Sequence, residues 1–378
     1  MYKKLAVIIL MLTGCSSTAQ QHSPFQKSAD KASDPVVAKP IAKPSLQPKQ
    51  IGPYRAASVS GDYAGYSELR RFIDEMVLKH GFNRDYLNGL FSQAKRKQWT
   101  LDYLHKSDQA SKSRAEPAPG GWTRYRAKFL DERHINSGVS FWMKHGETLR
   151  RAEDKYGVPA EYILGILGVE TSYGGYIGNH RIIDALTTLA FDYKRRGDYF
   201  RGELENFLIM AGKEGFDPSK PVGSFAGAMG LGQFMPTSFL KWAVDFNGNG
   251  RKDLWSPEDA IGSVANYFAQ HGWQSGQPIV TPAKLNGAQA HTLETGVNHQ
   301  YTLPQFKQAG VIPARYCQCD GPLHLVLLRK SIGDDYWIGH RNFYVITRYN
   351  QSSYYAMAVH DLAMAIKSRY RKTQMVSR

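Results

Sequence analysis

Cysteine is scarce in this sequence of 378 residues, and long apolar runs are missing from all of it except the beginning. Three cysteines, Cys15, Cys317 and Cys319, are too few for a disulfide scaffold, and their spacing excludes a clustered zinc site. A bridge between Cys317 and Cys319 would be strained, so we expect these two thiols to be free or weakly paired. No run of 18 apolar residues follows the N-terminus, which excludes a polytopic membrane protein. Apolar residues still make up 42% of the chain, enough for a large core and two or three domains.

Acidic residues are also in deficit. The chain has 33 Asp and Glu against 48 Lys and Arg, a net charge of +15, of which +6 falls within residues 1–60. A basic excess predicts a partner with negative charge, such as nucleic acid, an anionic membrane surface or an acidic cell-wall polymer; a merely soluble surface is the alternative. We expect no nucleic acid, because the sequence has no zinc-finger spacing, no RNP-type aromatic motif, and an export signal at its start.

Residues 1–15 have the pattern of an export signal. Two lysines precede an apolar run from Leu5 to Leu12, which is too short to remain in a bilayer as a spanning helix. The run ends in Leu-Thr-Gly-Cys15, which resembles the lipobox of bacterial lipoproteins. That resemblance implies lipidation of Cys15 with several acyl chains, which anchor stably where one chain does not. Serine rather than aspartate follows Cys15, which by the same resemblance favours the outer membrane. An ordinary secretory signal with a chance cysteine is the alternative.

Residues 16–60 have the composition of a disordered tether. Six of the 18 prolines lie between Pro24 and Pro53, among many Ala, Lys, Ser and Gln residues. Such a segment cannot bury enough apolar surface to offset its ordering entropy. A domain on a membrane tether acts on material within reach of that membrane, and the cell wall qualifies.

The remaining sequence predicts a mainly helical protein of the α+β class. A Pro- and Gly-rich break at 117–121 lies inside a first helical domain over 61–150. A helical core with Gly-rich interruptions follows over 151–274, and short alternating apolar runs predict a small β-containing insertion over 275–335. The C-terminal segment 336–378 contains a closing helix.

A glutamate follows a strongly apolar segment. Ile163, Ile166 and Leu167 share one face of a predicted helix, and Glu170 comes next at helical spacing. A carboxyl group beside a buried face loses hydration, which raises its pKa and lets it act as a general acid near neutral pH. The alternative is a structural glutamate at the end of a helix, bonded to a neighbour.

Small residues dominate the segment 224–238. They allow another chain or a ligand to approach the backbone closely. Ser224 and Gln233 supply neutral donors and acceptors that suit sugar hydroxyl and acetamido groups. A tightly packed turn between helices is the alternative.

A calcium-binding pattern lies near the middle of the chain. Asp245, Asn247, Asn249 and the carbonyl of Arg251 occupy positions 1, 3, 5 and 7 of an EF-hand loop. Position 12, normally a glutamate, is Ser256. The same stretch, Ser-Pro-Glu-Asp, also has the pattern of a helix start, so the two interpretations compete there.

Four strings together carry a resemblance to a known family. They are GILGVETSYGGYIGNHRIIDALTTLAFDY, GSFAGAMGLGQFMPTSF, AIGSVANYFAQHGW and NFYVITRYNQSSYYAMAV, within roughly 65–370. These strings resemble the goose-lysozyme-like lytic transglycosylases, and more narrowly the membrane-bound lytic murein transglycosylase B family. The resemblance implies a lysozyme-like helical catalytic domain over 151–274, with the C-terminal segment completing its cleft. It also implies cleavage of the MurNAc-GlcNAc β-1,4 bond of peptidoglycan with formation of 1,6-anhydromuramic acid.

In that family a single glutamate acts first as an acid and then as a base, and the matching position is Glu170. The nearest acidic residues downstream, Asp184 and Asp192, are then structural hydrogen-bonding residues. The resemblance implies no cofactor for the chemistry and a structural Ca²⁺ in a loop closed by Asp259. Arg195 and Arg196 match positions near the stem peptide. The other implied substrate-binding residues are Tyr125, Ser224, Gln233, Tyr267, Tyr349, Asn350 and Tyr355.

The same resemblance implies a place and a set of partners. We expect a periplasmic protein, lipid-anchored to the inner leaflet of the outer membrane of a Gram-negative bacterium. Its expected partners are glycan strands and stem peptides of peptidoglycan, and cell-wall synthesis or division proteins are further candidates. Two other functions stay open, a hydrolytic muramidase of similar fold and a non-catalytic peptidoglycan-binding lipoprotein.

Overall fold

The computed structural model describes residues 49–112, 119–317 and 319–376. The export signal, Cys15 and most of the predicted tether lie outside the described residues. Within them, no helix is long and apolar enough to cross a membrane. The described part is mainly helical with a few short strands, which confirms the α+β prediction.

Thirteen α-helices occur in the described residues. They are α1 (Ser67–His80), α2 (Arg84–Ser92), α3 (Gln98–Lys112), α4 (Gly121–Arg126), α5 (Glu132–Tyr156), α6 (Ala160–Thr171), α7 (Ile182–Asp192), α8 (Gly197–Glu214), α9 (Pro236–Trp242), α10 (Pro257–Gln270), α11 (Leu303–Ala309), α12 (Arg341–Tyr349) and α13 (Ser353–Val376).

The strands form two antiparallel sheets. The smaller one pairs β1 (His180–Arg181) with β2 (Val222–Gly223). The larger one has the order β4-β3-β6-β5. Its strands are β3 (Val280–Leu285), β4 (Val311–Pro313), β5 (His324–Arg329) and β6 (Asp334–Gly339).

Helix α6 lies at the centre of the helical core. Its residues are buried on all sides, with Ile163, Leu164 and Leu167 fully inaccessible, and it packs against α13, α5 and α10. A helix that is apolar all round is stable only when other elements cover every face. A Cβ atom at Gly168 would lie 2.5 Å from the Tyr173 hydroxyl, so glycine at this position lets that ring cross the helix.

The predicted tether is wrong for residues 49–60, which are ordered against the helical core. The Tyr54 side chain is 5% exposed, and its hydroxyl lies 2.7 Å from Asp217 Oδ1 and 2.6 Å from Ser219 Oγ. Asn88 Nδ2 donates to the Ala57 carbonyl at 3.0 Å. The composition of the segment predicted disorder because it carries no signal for the long-range contacts that a single buried tyrosine makes.

The β-containing insertion has a small core of its own, which includes Phe306, Leu325 and Ile338. Strand β6 continues past the expected boundary at residue 335, and α5 likewise crosses the expected boundary at 150. A disulfide joins Cys317 to Cys319, with their Cα atoms 5.2 Å apart. The expectation of free or weakly paired thiols is therefore wrong; the loop brings the two Cα atoms within the ordinary range for a bridge.

Asp184 connects the N-terminal helices to the core. Its carboxylate is 1% exposed and accepts hydrogen bonds from the Lys95 amide at 2.9 Å and from Arg181 Nη2 at 2.7 Å. Lys97 Nζ lies 3.0 Å from its other oxygen. Because Lys95 and Lys97 precede α3 whereas Asp184 lies in α7, this cluster joins segments about ninety residues apart. Its role is structural, as the sequence suggested.

Replacing Asp184 by alanine would leave two cations and a backbone amide without their buried partner. We expect Asp184→Ala to lower the free energy of unfolding by about 3–5 kcal/mol, measured by urea denaturation. Asp198→Ala is the matched control, since Asp198 pairs with Arg201 but is 94% exposed, and it should cost about 1 kcal/mol or less. Equal losses in the two variants would contradict the structural role of Asp184.

Candidate active site

Glu170 occupies the last turn of α6, where the buried helix reaches a cleft. The helix ends because Ser172 and Tyr173 adopt left-handed backbone conformations, with φ of 51° and 61°. Such angles are uncommon outside glycine and mark a place where the surrounding structure fixes the chain. Thr171 supplies part of that restraint, since its Oγ1 donates to the Leu231 carbonyl at 2.8 Å and accepts from the Gly174 amide at 3.0 Å.

The carboxyl group of Glu170 is held in an apolar environment. The side chain is partly buried, and desolvation raises its pKa from 4.5 to about 7, while a hydrogen bond from Tyr355 acts in the opposite direction. The Tyr355 hydroxyl donates to Glu170 Oε1 at 2.5 Å. No cation forms an ion pair with Glu170 in the described part of the chain. With a pKa of about 7, the group holds its proton in about half of the molecules at neutral pH, as a general acid requires.

Three tyrosines that the sequence assigned to the cleft form one cluster beside Glu170. The ring of Tyr355 lies parallel to that of Tyr349, with centroids 6.5 Å apart. Tyr267 meets Tyr349 edge-on at 4.8 Å. The hydroxyl of Tyr349 donates to the Gly232 carbonyl and that of Tyr267 to the Arg348 carbonyl, each at 2.5 Å. These bonds fix the rings of the cluster against the backbone.

Tyr125 approaches the same carboxyl group from α4. Burial raises its pKa, and the negative charge of Glu170 contributes in the same direction. The charge of Tyr125 in turn contributes to the raised pKa of Tyr355. Tyr125 therefore lies within electrostatic range of Glu170 and Tyr355, and its place in a substrate cleft stays a prediction.

Ser224 and Gln233 shape the backbone of the small-residue segment. The Ser224 hydroxyl accepts from the Ala228 amide at 2.9 Å and is 6% exposed. Gln233 has a left-handed φ of 51°, and its Nε2 donates to the Gly230 carbonyl at 2.9 Å and to the Ile177 carbonyl at 3.3 Å. The packed-turn interpretation therefore holds for Ser224 and Gln233. Within the described ranges, no group donates to Gln233 Oε1.

The remaining predicted cleft residues make contacts outside the tyrosine cluster. Asn350 is buried and ends α12. Arg195 forms an ion pair with Asp108 of α3, and the guanidinium of Arg196 lies 4.2 Å from the centre of the Tyr199 ring. Both arginines sit in the turn between α7 and α8.

The loop from Asp245 to Asp253 closes around two carboxylates. Asp245 accepts from the Gly248 and Gly250 amides, both at 2.7 Å. Asp259 is fully buried at the start of α10, and its oxygens accept from the Phe246 amide at 2.8 Å and the Asp253 amide at 2.8 Å. The helix-start interpretation is also confirmed, since α10 begins with Ser256 as N-cap and Pro257 at N1. Asp259 thus lies in the first turn of α10 while its carboxylate bonds to the loop.

The donor set of this loop suits a hard cation. Side-chain oxygens of Asp245, Asn247, Asn249 and Asp259, with the Arg251 carbonyl, offer only oxygen, which is the ligand type of Ca²⁺. A cavity of about 530 Å³ lies beside the loop and is lined in part by Arg151 and Lys155.

Thr171 is a site residue that the sequence reasoning did not single out. Its hydroxyl ties the end of α6 to the segment that carries Gln233. The sequence does mark Thr171 in one way: it is a polar residue directly after Glu170, at the end of a mainly apolar segment.

Comparison with known proteins places this chain in a family. The chain matches the family described as Transglycosylase SLT domain over residues 65–364. The chain belongs to this family. It is 42% identical to membrane-bound lytic murein transglycosylase B of Escherichia coli (strain K12) over 366 residues, which are 97% of each chain.

Solved structures of other transglycosylases share this fold. The Escherichia coli lytic transglycosylase Slt35 in complex with calcium is 45% identical, with a TM-score of 0.77, covering 83% of this chain and 96% of that one. SltB3 from Pseudomonas aeruginosa in complex with NAG-NAM-pentapeptide is 29% identical, with a TM-score of 0.68 and 79% coverage of each chain. The lysozyme-like helical fold of the transglycosylase family is therefore confirmed for this chain.

The raised pKa of Glu170 makes the stability of the fold depend on pH. The native state binds the proton more tightly than the unfolded chain, so the stabilisation by this proton is complete below pH 4.5 and is lost as pH rises through about 7. We expect wild type to lose about 3 kcal/mol relative to Glu170→Gln between pH 4.5 and 8, measured by denaturant titrations.

The control is Glu147→Gln, an exchange on the exposed face of α5. Its unfolding free energy should run parallel to that of wild type across the same pH range. Parallel curves for Glu170→Gln as well would show that the Glu170 carboxyl is not desolvated.

Proposed function

We propose that this protein is a lytic transglycosylase that cleaves the MurNAc-GlcNAc β-1,4 bond of peptidoglycan, with Glu170 as the only acid–base residue. Glu170 donates its proton to the glycosidic oxygen while the bond from that oxygen to muramic C1 breaks. Its carboxylate then takes the proton of the muramic C6 hydroxyl, whose oxygen bonds to C1. The product is 1,6-anhydromuramic acid, no water is consumed, and Glu170 ends protonated as it began.

The observation that carries this proposal is the isolation of the Glu170 carboxyl group. Its polar contact is the Tyr355 hydroxyl, and burial raises its pKa to about 7. A glycosidase with two carboxylates needs the second at about 5–9.5 Å from the first. The nearest acidic residues downstream, Asp184 and Asp192, are instead engaged by Arg181 and Arg96.

The tyrosine cluster supports both proton transfers. The Tyr355 hydroxyl stabilises the carboxylate that forms after the first transfer, because its hydrogen bond favours the charged form. The aromatic faces of Tyr125 and Tyr349 offer apolar surface to the sugar rings. Ser224, Gln233, Tyr267 and Asn350 complete the proposed substrate-binding set.

The stem peptide is the proposed partner of the two arginines between α7 and α8. The Arg195 side chain is 52% exposed, and its ion pair with Asp108 orients the guanidinium. A peptide carboxylate would compete with Asp108 for this guanidinium. Arg196 is held flat by Tyr199. A guanidinium fixed in this way is well suited to a carboxylate.

The activity assay separates the three candidate functions. Purified peptidoglycan is incubated with the protein, and the released muropeptides are weighed by mass spectrometry. A transglycosylase releases products lighter by one water molecule than those of a muramidase, and a binding protein releases none. Hydrolysed products would contradict the proposal.

We expect Glu170→Gln to reduce the release of muropeptides by at least about 10²- to 10⁴-fold, the usual contribution of a general acid or base. Glutamine keeps the shape of the side chain but has no proton to transfer. Glu147→Gln, in the exposed part of α5, is the matched control and should retain full activity. Full activity of the Glu170→Gln variant would rule out Glu170 as the acid.

We also propose a location for the protein. The family relative from Escherichia coli is named membrane-bound, and the sequence Leu-Thr-Gly-Cys15 resembles a lipobox. Lipidation of Cys15 would hold the enzyme at the periplasmic face of the outer membrane. The basic segment from residue 16 to about residue 48 would then be the tether. Cell-wall synthesis or division proteins stay candidate partners.

A structural Ca²⁺ is the proposed occupant of the loop closed by Asp259, with no part in the chemistry. The oxygen-only donor set supports it, and the related Slt35 was solved in complex with calcium. In such a site the charges of Asp245 and Asp259 would balance the ion, while the amides that now bond to them keep the loop in shape.

Calcium should raise the stability of the protein through this loop. At a free concentration 100-fold above Kd, we expect about 2.7 kcal/mol of additional stability, seen as a higher Tm that EGTA reverses. Asp245→Asn should abolish the increase, and Asp198→Asn, at an exposed position of α8, should not. A Tm that calcium does not change in wild type would refute the proposed occupant.

A further inference from the structure

An exposed tryptophan at the start of α3 has no role in the site described so far. The Trp99 side chain is 58% exposed, although it is large and apolar. One part of its indole stacks on the ring of Tyr103 at 5.3 Å and on that of His180 at 6.0 Å, each at an angle of 18°. Phe225 meets Trp99 edge-on from behind at 5.7 Å. We call Trp99, Tyr103, His180 and Phe225 the aromatic platform.

The aromatic platform is rigidly held by three parts of the fold. Trp99 lies just after Lys97, whose amide donates to Thr188 Oγ1 at 3.0 Å. His180 belongs to β1 and pairs with Gly223 of β2. Phe225 is 6% exposed in the turn that the Ser224 hydroxyl closes. The exposed part of the Trp99 indole is therefore held in place before any ligand arrives, which lowers the entropic cost of binding.

The aromatic platform adjoins residues that are assigned to the proposed cleft. The loop that leaves α6 after Glu170 passes Gln233, which donates to the Ile177 carbonyl. His180 follows three residues after Ile177, so the two Cα atoms are at most about 11 Å apart. On the other side, Phe225 is the direct neighbour of Ser224. His180 pairs with Gly223, the residue before Ser224, and Phe225 is the residue after it, so both platform residues lie next to Ser224 of the proposed cleft.

We infer that the aromatic platform is a further sugar-binding subsite, on which Trp99 stacks against an amino-sugar ring of a glycan strand whose cleaved bond lies at Glu170. The inference rests on the proposed function and adds an outer contact to it. An exposed indole offers a flat apolar face for a pyranose ring and an N–H donor for its hydroxyl or acetamido oxygen. Burial, and then the charge of Lys97, lowers the pKa of His180, so its imidazole is a neutral hydrogen-bonding group there.

The extent of the exposed surface favours a sugar over a protein partner. Of the four rings, Trp99 is the one that is largely exposed, while Phe225 is buried and the other two are partly buried. One exposed indole matches one sugar ring, whereas a protein interface needs a far larger contiguous area. A polymer that runs along the cleft would meet such a platform at its outer end.

The test measures binding in protein that cannot cleave. In a Glu170→Gln background, we compare the affinity for glycan strands from which the stem peptides have been removed. We expect Trp99→Ala to bind these strands about 10-fold more weakly, a loss of about 1.4 kcal/mol. Trp99→Phe, which keeps a flat aromatic face, should recover most of the affinity. Tyr316→Ala is the control, because Tyr316 is 93% exposed in the β-containing insertion and should not affect binding.

Affinity of Trp99→Ala equal to that of the parent would overturn the inference, and so would an equal loss in Trp99→Phe. Hydrogen exchange is a second test, made on protein that keeps Trp99. Bound glycan strands should slow the exchange of backbone amides in the segment 98–104. Unchanged exchange in this segment would also overturn the inference. If the proposed function is wrong, the muropeptide assay shows it separately: wild type would release no anhydro products. That result does not depend on the affinities measured for the Trp99 variants.

Discussion

The desolvation of one carboxyl group is the constraint on which the candidate active site depends. Glu170 is tolerable at the end of a fully buried helix because it can remain protonated and bond to a single hydroxyl, that of Tyr355. An ion pair at this place would have lowered its pKa and removed the acid. The surrounding fold supplies this environment by covering α6 with α5, α10 and α13. The raised pKa of Glu170 and the packing of the core are thus consequences of the same burial.

The cleft is assembled from chain segments that are far apart in sequence. Thr171 holds the end of α6 to Leu231, Tyr349 holds the end of α12 to Gly232, and Gln233 bonds to Ile177. In all three contacts a side chain donates to a backbone carbonyl group. Small residues next to these carbonyls leave room for the donors to approach. The left-handed residues Ser172 and Tyr173 are the strained part of this arrangement, and the hydrogen bonds around them hold the strain.

The loop from Asp245 to Asp253 is connected to the cleft through a single helix. Asp259 anchors the loop at the first turn of α10, and Tyr267 joins the tyrosine cluster from the same helix, eight residues or about 12 Å further along. Ordering of the loop therefore supports the position of an aromatic wall residue. An ion bound in the loop would therefore be connected to the tyrosine cluster through α10.

The sequence by itself determined the elements whose causes are local. The apolar run before Glu170 predicted both its helix and its raised pKa, and the alternating oxygen side chains from Asp245 predicted the turn of the loop. Only the tertiary structure decided which side chains meet. Tyr54 packs against Asp217, Arg195 pairs with Asp108, and Trp99 stacks on His180 across eighty residues or more. Local periodicity does not encode these contacts, because they depend on how whole helices are placed against each other.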